Sequence, residues 1–260
     1  MNATTPPGAG PAARTARSMA GDCLVVTFER PEARNALDRA MVAELRELLD
    51  DIRVDRPSAC VLTGTGPVFC AGGDLKERRA MTKDEVRRLR REIVDLFTAM
   101  PESPVPLIAA LNGSAWGGGF ELALACDFIV ASAAAELGLP EVGLGIIPAG
   151  GGTQNLVRLG GVALAREVIV LGRVLTAPDA HAAGLVLSVH EPDNVVDAAL
   201  QVARRIAARP RLAVRQARQA INDAWGYSMA VALRRENELY DPCIDDAARD
   251  TALEQFANRS

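Results

Sequence analysis

The chain predicts an α/β protein, on three observations. Short β-prone runs alternate with stretches whose apolar residues recur at helical spacing, glycine-rich loops follow two of the strands, and the last third turns helical. Strand-helix units repeated in this way build layered sheets with helices packed against them.

Taken in order, Cys23 to Phe28 is a β-prone run, Asp38 is placed to cap a helix, and Met41 to Ile52 carries apolar residues at helical spacing. Ala59 to Thr63 is a second strand, ending in Gly64-Thr65-Gly66-Pro67, and Val68 to Asp74 reads as a loop whose glycines free the backbone. Thr82 or Asp84 starts a helix that runs to about Met100. Leu107 to Leu111 is a strand, Gly117-Gly118-Gly119 opens another helix, and Phe128 to Ala131 is the next strand. From Gly151 onward strands become scarce, and residues 162–171, 193–209, 211–224, 229–241 and 245–258 read as helices. Residues 1–20, rich in proline, glycine and alanine and lacking the apolar core of a secretory signal, read as a disordered leader.

Composition excludes several classes. No run approaches the roughly 18 apolar residues that span a bilayer, so a membrane protein is not expected. A net charge of −4 argues against general polyanion binding, and nucleic acid is not expected as a partner. The five cysteines are scattered, with no closely spaced pair, and only His181 and His190 exist, so no metal site is expected. Reduced thiols fit a cytoplasmic location. Neither a Walker loop nor Gly-x-Gly-x-x-Gly after a strand is present, which removes nucleotide cradles.

Chemistry concentrates on two carboxylates. Glu121 lies in an apolar run that begins with three glycines, and Glu141 follows Pro140 among apolar and glycine residues. Burial disfavours the charged form and raises a carboxyl pKa toward the range useful for proton transfer near neutral pH. Taken singly, Glu121 also fits a buried ion pair with a distant arginine, and Glu141 a turn cap after Pro140. The loops around Gly73 and Gly118 offer bare backbone N–H groups to an oxygen that becomes negative during reaction, although tight turns alone also call for glycine. Lys76 suits a ligand phosphate, and equally an ordinary solvated lysine. The stripe Arg78, Arg79, Lys83, Arg87, Arg88, Arg90 and Arg91 is partly balanced by Asp84, Glu85 and Glu92 and reads as a solvated helix face.

Four stretches, Arg30–Leu37, Phe69–Arg78, Gly117–Asp127 and Leu139–Gln154, together resemble the crotonase superfamily, specifically its enoyl-CoA hydratase/isomerase family, in order and spacing. The resemblance implies a spiral of repeated ββα units over residues 21–200 and a C-terminal helical trimerisation region over 201–260, assembled as a homotrimer or a hexamer of two trimers. It implies an acyl-CoA substrate, with CoA part of the substrate and no separate cofactor. It maps an oxyanion hole onto Gly73 and Gly118, CoA contacts onto Asp74, Leu75 and Lys76, and a catalytic pair onto Glu121 and Glu141. The implied reaction is addition of water to a 2-enoyl-CoA, with isomerisation or dehydration in a specialised biosynthetic pathway, or a non-catalytic or RNA-binding role, as alternatives. Ala71-Gly72-Gly73-Asp74-Leu75-Lys76-Glu77-Arg78 is similar to the phrase of the branched-chain hydratases acting on methylglutaconyl-CoA. Trp116 departs from the smaller aliphatic residue usual in the family, which implies an acyl pocket shaped for short, branched or aromatic groups. Ala149 and Asn155 depart where glycine and arginine are common.

Overall fold

The computed structural model describes residues 13–258. β1 (Thr15–Ala20) and β2 (Cys23–Phe28) form an antiparallel pair, after which the chain passes Leu37 and enters α1 (Arg39–Asp55). The next winding is β3 (Ala59–Gly64), β4 (Val68–Cys70), α2 (Leu75–Ala80) and α3 (Lys83–Ala99), and the one after is β5 (Leu107–Leu111), β6 (Ser114–Trp116) and α4 (Gly118–Leu124). A further winding holds β7 (Phe128–Ser132), β8 (Glu136–Gly138), a 3-10 turn at Pro140–Leu144 and α5 (Gly152–Ala165). The chain continues through β9 (Leu175–Thr176), α6 (Ala177–Ala182), β10 (Ser188–His190) and α7 (Val195–Ala207) to α8 (Arg211–Asp223), α9 (Met229–Ile244) and α10 (Ala247–Ala257).

In each of the windings from β3 to α5 the first strand joins one sheet and the second strand the other. The larger sheet runs β1-β2-β3-β5-β7-β10 and the smaller β4-β6-β8-β9. Pairing is parallel from β2 through β10 and from β4 through β8, as a coil that always returns in the same direction requires. Leu37 bridges Gly73 in parallel and so extends the smaller sheet into the first winding. This is the ββα spiral.

Strand periodicity explains the two cores. Leu107, Ala109 and Leu111 of β5 enter the cluster shared with Leu45 and Leu49 of α1 and with Leu96 of α3. Ile108 and Ala110 point the other way, against Ala199 and Ala203 of α7, whose small side chains let that helix lie close to the sheet. Buried on both faces, β3 and β5 read as continuous apolar runs. Asp38 caps α1 by accepting from the Met41 amide at 2.8 Å, and Thr82 with Glu85 forms a capping box on α3.

The structure corrects the sequence expectations at several places. Residues 15–20, expected within a disordered leader, are strand β1; Glu44 of α1 ties it down by accepting from the Arg14 amide and the Thr15 hydroxyl, and residues 1–12 lie outside the described residues. Val68–Cys70, expected as loop, is β4, and β6, β8, β9 and β10 were not expected at all. The helix expected over 162–171 is instead the end of α5, broken at Gly161, followed by a π turn over Arg166–Val170.

Candidate active site

The parts of the site follow the smaller sheet. Gly73 lies just beyond β4, Gly118 just beyond β6 and Glu141 just beyond β8, all at the carboxyl ends of parallel strands, where α/β sheets present their loops to ligands. Two close approaches fix the loops. Gly72 adopts φ +87, and a Cβ there would lie 2.6 Å from the Trp116 carbonyl; Gly117 adopts φ +52, and a Cβ there would lie 3.0 Å from Glu141 Oε1.

The bridge to Leu37 uses Gly72 O and the Asp74 N–H, at 2.8 and 3.0 Å, and passes over the Gly73 N–H, which faces the opposite side. Gly118 is the first residue of α4, so its N–H has no partner within the helix. The two glycines converge: a Cβ on Gly118 would sit 3.7 Å from the Gly73 nitrogen. Two amides without backbone partners, one of them at the start of a helix, form an arrangement that can receive a negatively charged oxygen.

Glu121 sits in the first turn of α4 and is buried. Its Oε1 accepts from the amides of Gly150 and Gly152 at 2.7 and 2.8 Å, which holds the carboxyl rigidly and leaves Oε2 for other partners. Burial raises its pKa, while those two amides and the more distant Arg78 pull the other way. Glu141, in the 3-10 turn after β8, is also buried, and its Oε2 has no hydrogen-bond partner. Burial first and the like charge of Glu121 raise its pKa from the ordinary 4.5 to about 7. Neither carboxylate takes part in an ion pair among the described residues, so Glu121 is not the buried ion pair that the sequence also allowed.

All four groups, Gly73, Gly118, Glu121 and Glu141, line one cavity of about 660 Å³, together with Leu75 and Trp116. The Trp116 indole lies over Gly138, where a Cβ would be 2.6 Å from the ring. Asp74 and Lys76 are not part of that wall. The Asp74 carboxylate is spent on the fold, accepting from the amides of Lys76 and Glu77 and from Arg30, while Lys76 is exposed on α2. Ala149 lines the cavity, and Asn155 faces a separate polar cavity beside it.

The model of the family described as enoyl-CoA hydratase/isomerase matches residues 19–260. A putative enoyl-CoA hydratase/isomerase of Bacillus subtilis is 43% identical over 237 residues, covering 90% of this chain and 91% of the relative. The 2,3-dehydroadipyl-CoA hydratase of Escherichia coli is 40% identical over 218 residues, 84% of this chain and 85% of that protein. Among solved structures, the enoyl-CoA hydratase of Bacillus anthracis superposes with a TM-score of 0.92 at 36% identity, covering 95% of this chain and 96% of that one. The chain belongs to the enoyl-CoA hydratase/isomerase family.

In this family member several site residues gave little signal in sequence. Gly150 and Gly152 hold Glu121 through backbone N–H groups. Arg30 joins Asp38 at the start of α1 to Asp74 at the start of α2, and so braces the loop that carries Gly73. Arg78 and Arg90, read from sequence as part of a solvated face, line the cavity. The spacing of Val86, Arg90 and Ile93, all three on the cavity side of α3, is the signal that finds Arg90.

The raised pKa of Glu141 makes the stability of this hydratase/isomerase-family chain depend on pH. Between pH 4.5 and about 7 the folded chain keeps a proton that the unfolded chain releases, so the contribution is fully present below pH 4.5 and is lost as pH rises through 7. The loss is at most about 3 kcal/mol, and less to the extent that solvent screens the carboxyl. Glu141→Gln is therefore expected to gain stability over the parent as pH rises from 5 to 8. Chemical denaturation at both pH values checks this; an unchanged difference between the two proteins contradicts the raised pKa.

Proposed function

We propose that this chain is an enoyl-CoA hydratase that adds water across the 2,3 double bond of a short, branched or aromatic enoyl-CoA. The observation that carries the reading is the second carboxyl: Glu141, with a pKa near 7, shares a cavity with the amide-held Glu121. In this reading the thioester oxygen sits between the Gly73 and Gly118 amides, which strengthen their hold as it becomes an enolate oxygen. Glu121 and Glu141 orient one water over Cβ. The water oxygen bonds to Cβ, the pair takes one proton from that water, and Glu141 delivers one to Cα. The pair ends with the proton count it began with, and the thioester gains H and OH. No cofactor takes part.

Isomerisation is the second reading, because the same carboxyls can carry a proton from one carbon of the acyl chain to another. The retention of both carboxyls, each buried in the cavity, favours water addition. Incubation with a panel of enoyl- and aryl-CoA thioesters, read by mass spectrometry, separates the two. Hydration adds the mass of one water and removes the conjugated enoyl absorbance. Conversion of a 3-enoyl to a 2-enoyl thioester with no mass gain from any substrate overturns hydration.

The proposal includes a homotrimer or a dimer of trimers. Ile221, Trp225, Met229 and Tyr240 on and around α8 and α9 are exposed apolar groups of the kind that a subunit interface covers. Light scattering on the same preparation reads the assembly mass, and a monomer overturns that part. We place the enzyme in the cytoplasm, where its five unpaired cysteines stay reduced. Among the described residues no helix is long and apolar enough to cross a membrane.

A further inference from the structure

We infer that the acyl group selected by this site ends in a second carboxylate, held by Arg78 with the help of Arg90. The inference rests on the proposed hydratase reading and narrows its substrate to thioesters of short unsaturated diacids.

The two most deeply drawn-in guanidinium groups among the described ion pairs have acceptors. Arg30 pairs with Asp38 and Asp74, and Arg218 with Asp127 and the carbonyls of Ser103 and Met100. Arg78 is half-buried, and its side chain makes no hydrogen bond or ion pair with any of the described residues. Arg78 lines a cavity otherwise walled largely by apolar side chains such as Val86, Ile93, Leu144 and Ile146. A half-buried guanidinium with no hydrogen-bond acceptor gains when a ligand anion supplies one, although Glu121 and Glu141 already feel its charge.

The charge balance of the cavity points the same way. Its charged residues are Arg78, Arg90, Glu121 and Glu141. Glu121 raises the pKa of Glu141, and the proposed chemistry needs one proton on the pair, so two guanidinium charges, that of the half-buried Arg78 and that of the exposed Arg90, face one carboxylate charge. Arg90 has Val86, Arg87, Ile93 and Val94 as its neighbours one turn away on α3, and none of them is acidic. A substrate carboxylate makes the cavity neutral and matches the planar, forked donor set of arginine.

Position separates this anion from the phosphates of CoA. The Arg78 guanidinium lies against Gly73: a Cβ there would be 2.5 Å from Arg78 Cζ. Gly73 supplies one of the two amides that grip the thioester oxygen in the proposed reading. The phosphates lie at the far end of the pantetheine arm, whereas a carboxylate a few carbons along the acyl chain stays beside the thioester.

Two matched pairs of thioesters test this. Glutaconyl-CoA is compared with crotonyl-CoA, and 2-hexenedioyl-CoA with 2-hexenoyl-CoA, in the parent, Arg78→Met and Arg78→Lys proteins. The parent is expected to favour at least one diacid by about 10- to 100-fold in kcat/KM, the worth of a charge-assisted hydrogen-bond pair. Arg78→Met is expected to shrink that preference at least about 10-fold, and Arg78→Lys to keep part of it. A parent that favours neither diacid, or an Arg78→Met protein that loses the same factor on both members of a pair, overturns the inference; equal loss is the mark of an arginine that only tunes the glutamates. Calorimetry with the saturated thioesters glutaryl-CoA and butyryl-CoA keeps the two readings apart. Arg78-dependent tighter binding of glutaryl-CoA, with no hydration of any thioester, supports the diacid site and overturns the hydratase reading. Equal affinities overturn the diacid site whatever the turnover.

Discussion

Glu121→Gln is expected to lower kcat for hydration about 10²- to 10⁴-fold, the usual worth of a positioned acid or base. The exchange is close to isosteric, and the glutamine carbonyl can accept from the Gly150 and Gly152 amides as Oε1 does now, at 2.7 and 2.8 Å. Geometry is kept while the charge that draws a proton from water is lost. Thermal stability should stay near that of the parent, so the loss cannot be assigned to unfolding. A Glu141→Gln protein should lose a similar factor, and the double variant little more, because groups that act on one water do not contribute independently. Initial rates followed by the disappearance of the enoyl thioester give the result. Turnover of Glu121→Gln at the parental rate sinks the two-carboxylate mechanism.

The second large effect is expected at Gly118. As the first residue of α4 it has an N–H that the helix does not use, and proline is well tolerated at that helical position. Gly118→Pro therefore deletes one proposed oxyanion donor with limited harm to the helix. The expected fall in kcat is about 10²- to 10³-fold, or 3–4 kcal/mol of barrier, and the ring also intrudes on the space meant for the thioester oxygen. Circular dichroism and a melting curve report whether the fold survives. A folded Gly118→Pro protein with parental kcat removes this amide from the mechanism.

The sequence disclosed those parts of the molecule that have long, uniform environments. β2, β3 and β5 are buried and apolar over five or six residues, and α1 and α3 each expose one face, so periodicity located them within a residue or a few. The smaller sheet escaped because β4, β6 and β8 are three residues long, too short for any period to register. β1 escaped because it is an edge strand with Arg17, Ser18 and Met19 exposed, a composition that matches a polar tail as well as a strand. In the site, Glu121 and Glu141 stood out as charges in apolar runs. The amides of Gly150 and Gly152 did not, since a backbone donor has no side chain to read. Arg78 and Arg90 were hidden differently: neighbouring acids on α3 balanced them in sequence, whereas in space those acids do not reach them.

Successive windings deliver the amide of Gly73, the amide of Gly118 and the acid of Glu141 from the same rim of the smaller sheet. The opposite rim carries none of these groups, so on the proposed mechanism insertions there are expected to leave the reaction untouched. Α2 and α3, which hang off a single winding, supply Arg78 and Arg90 and none of the proton-transfer groups. On the proposed reading, exchanging that one segment for another is expected to retune which thioester is chosen while the proton-transfer groups stay as they are.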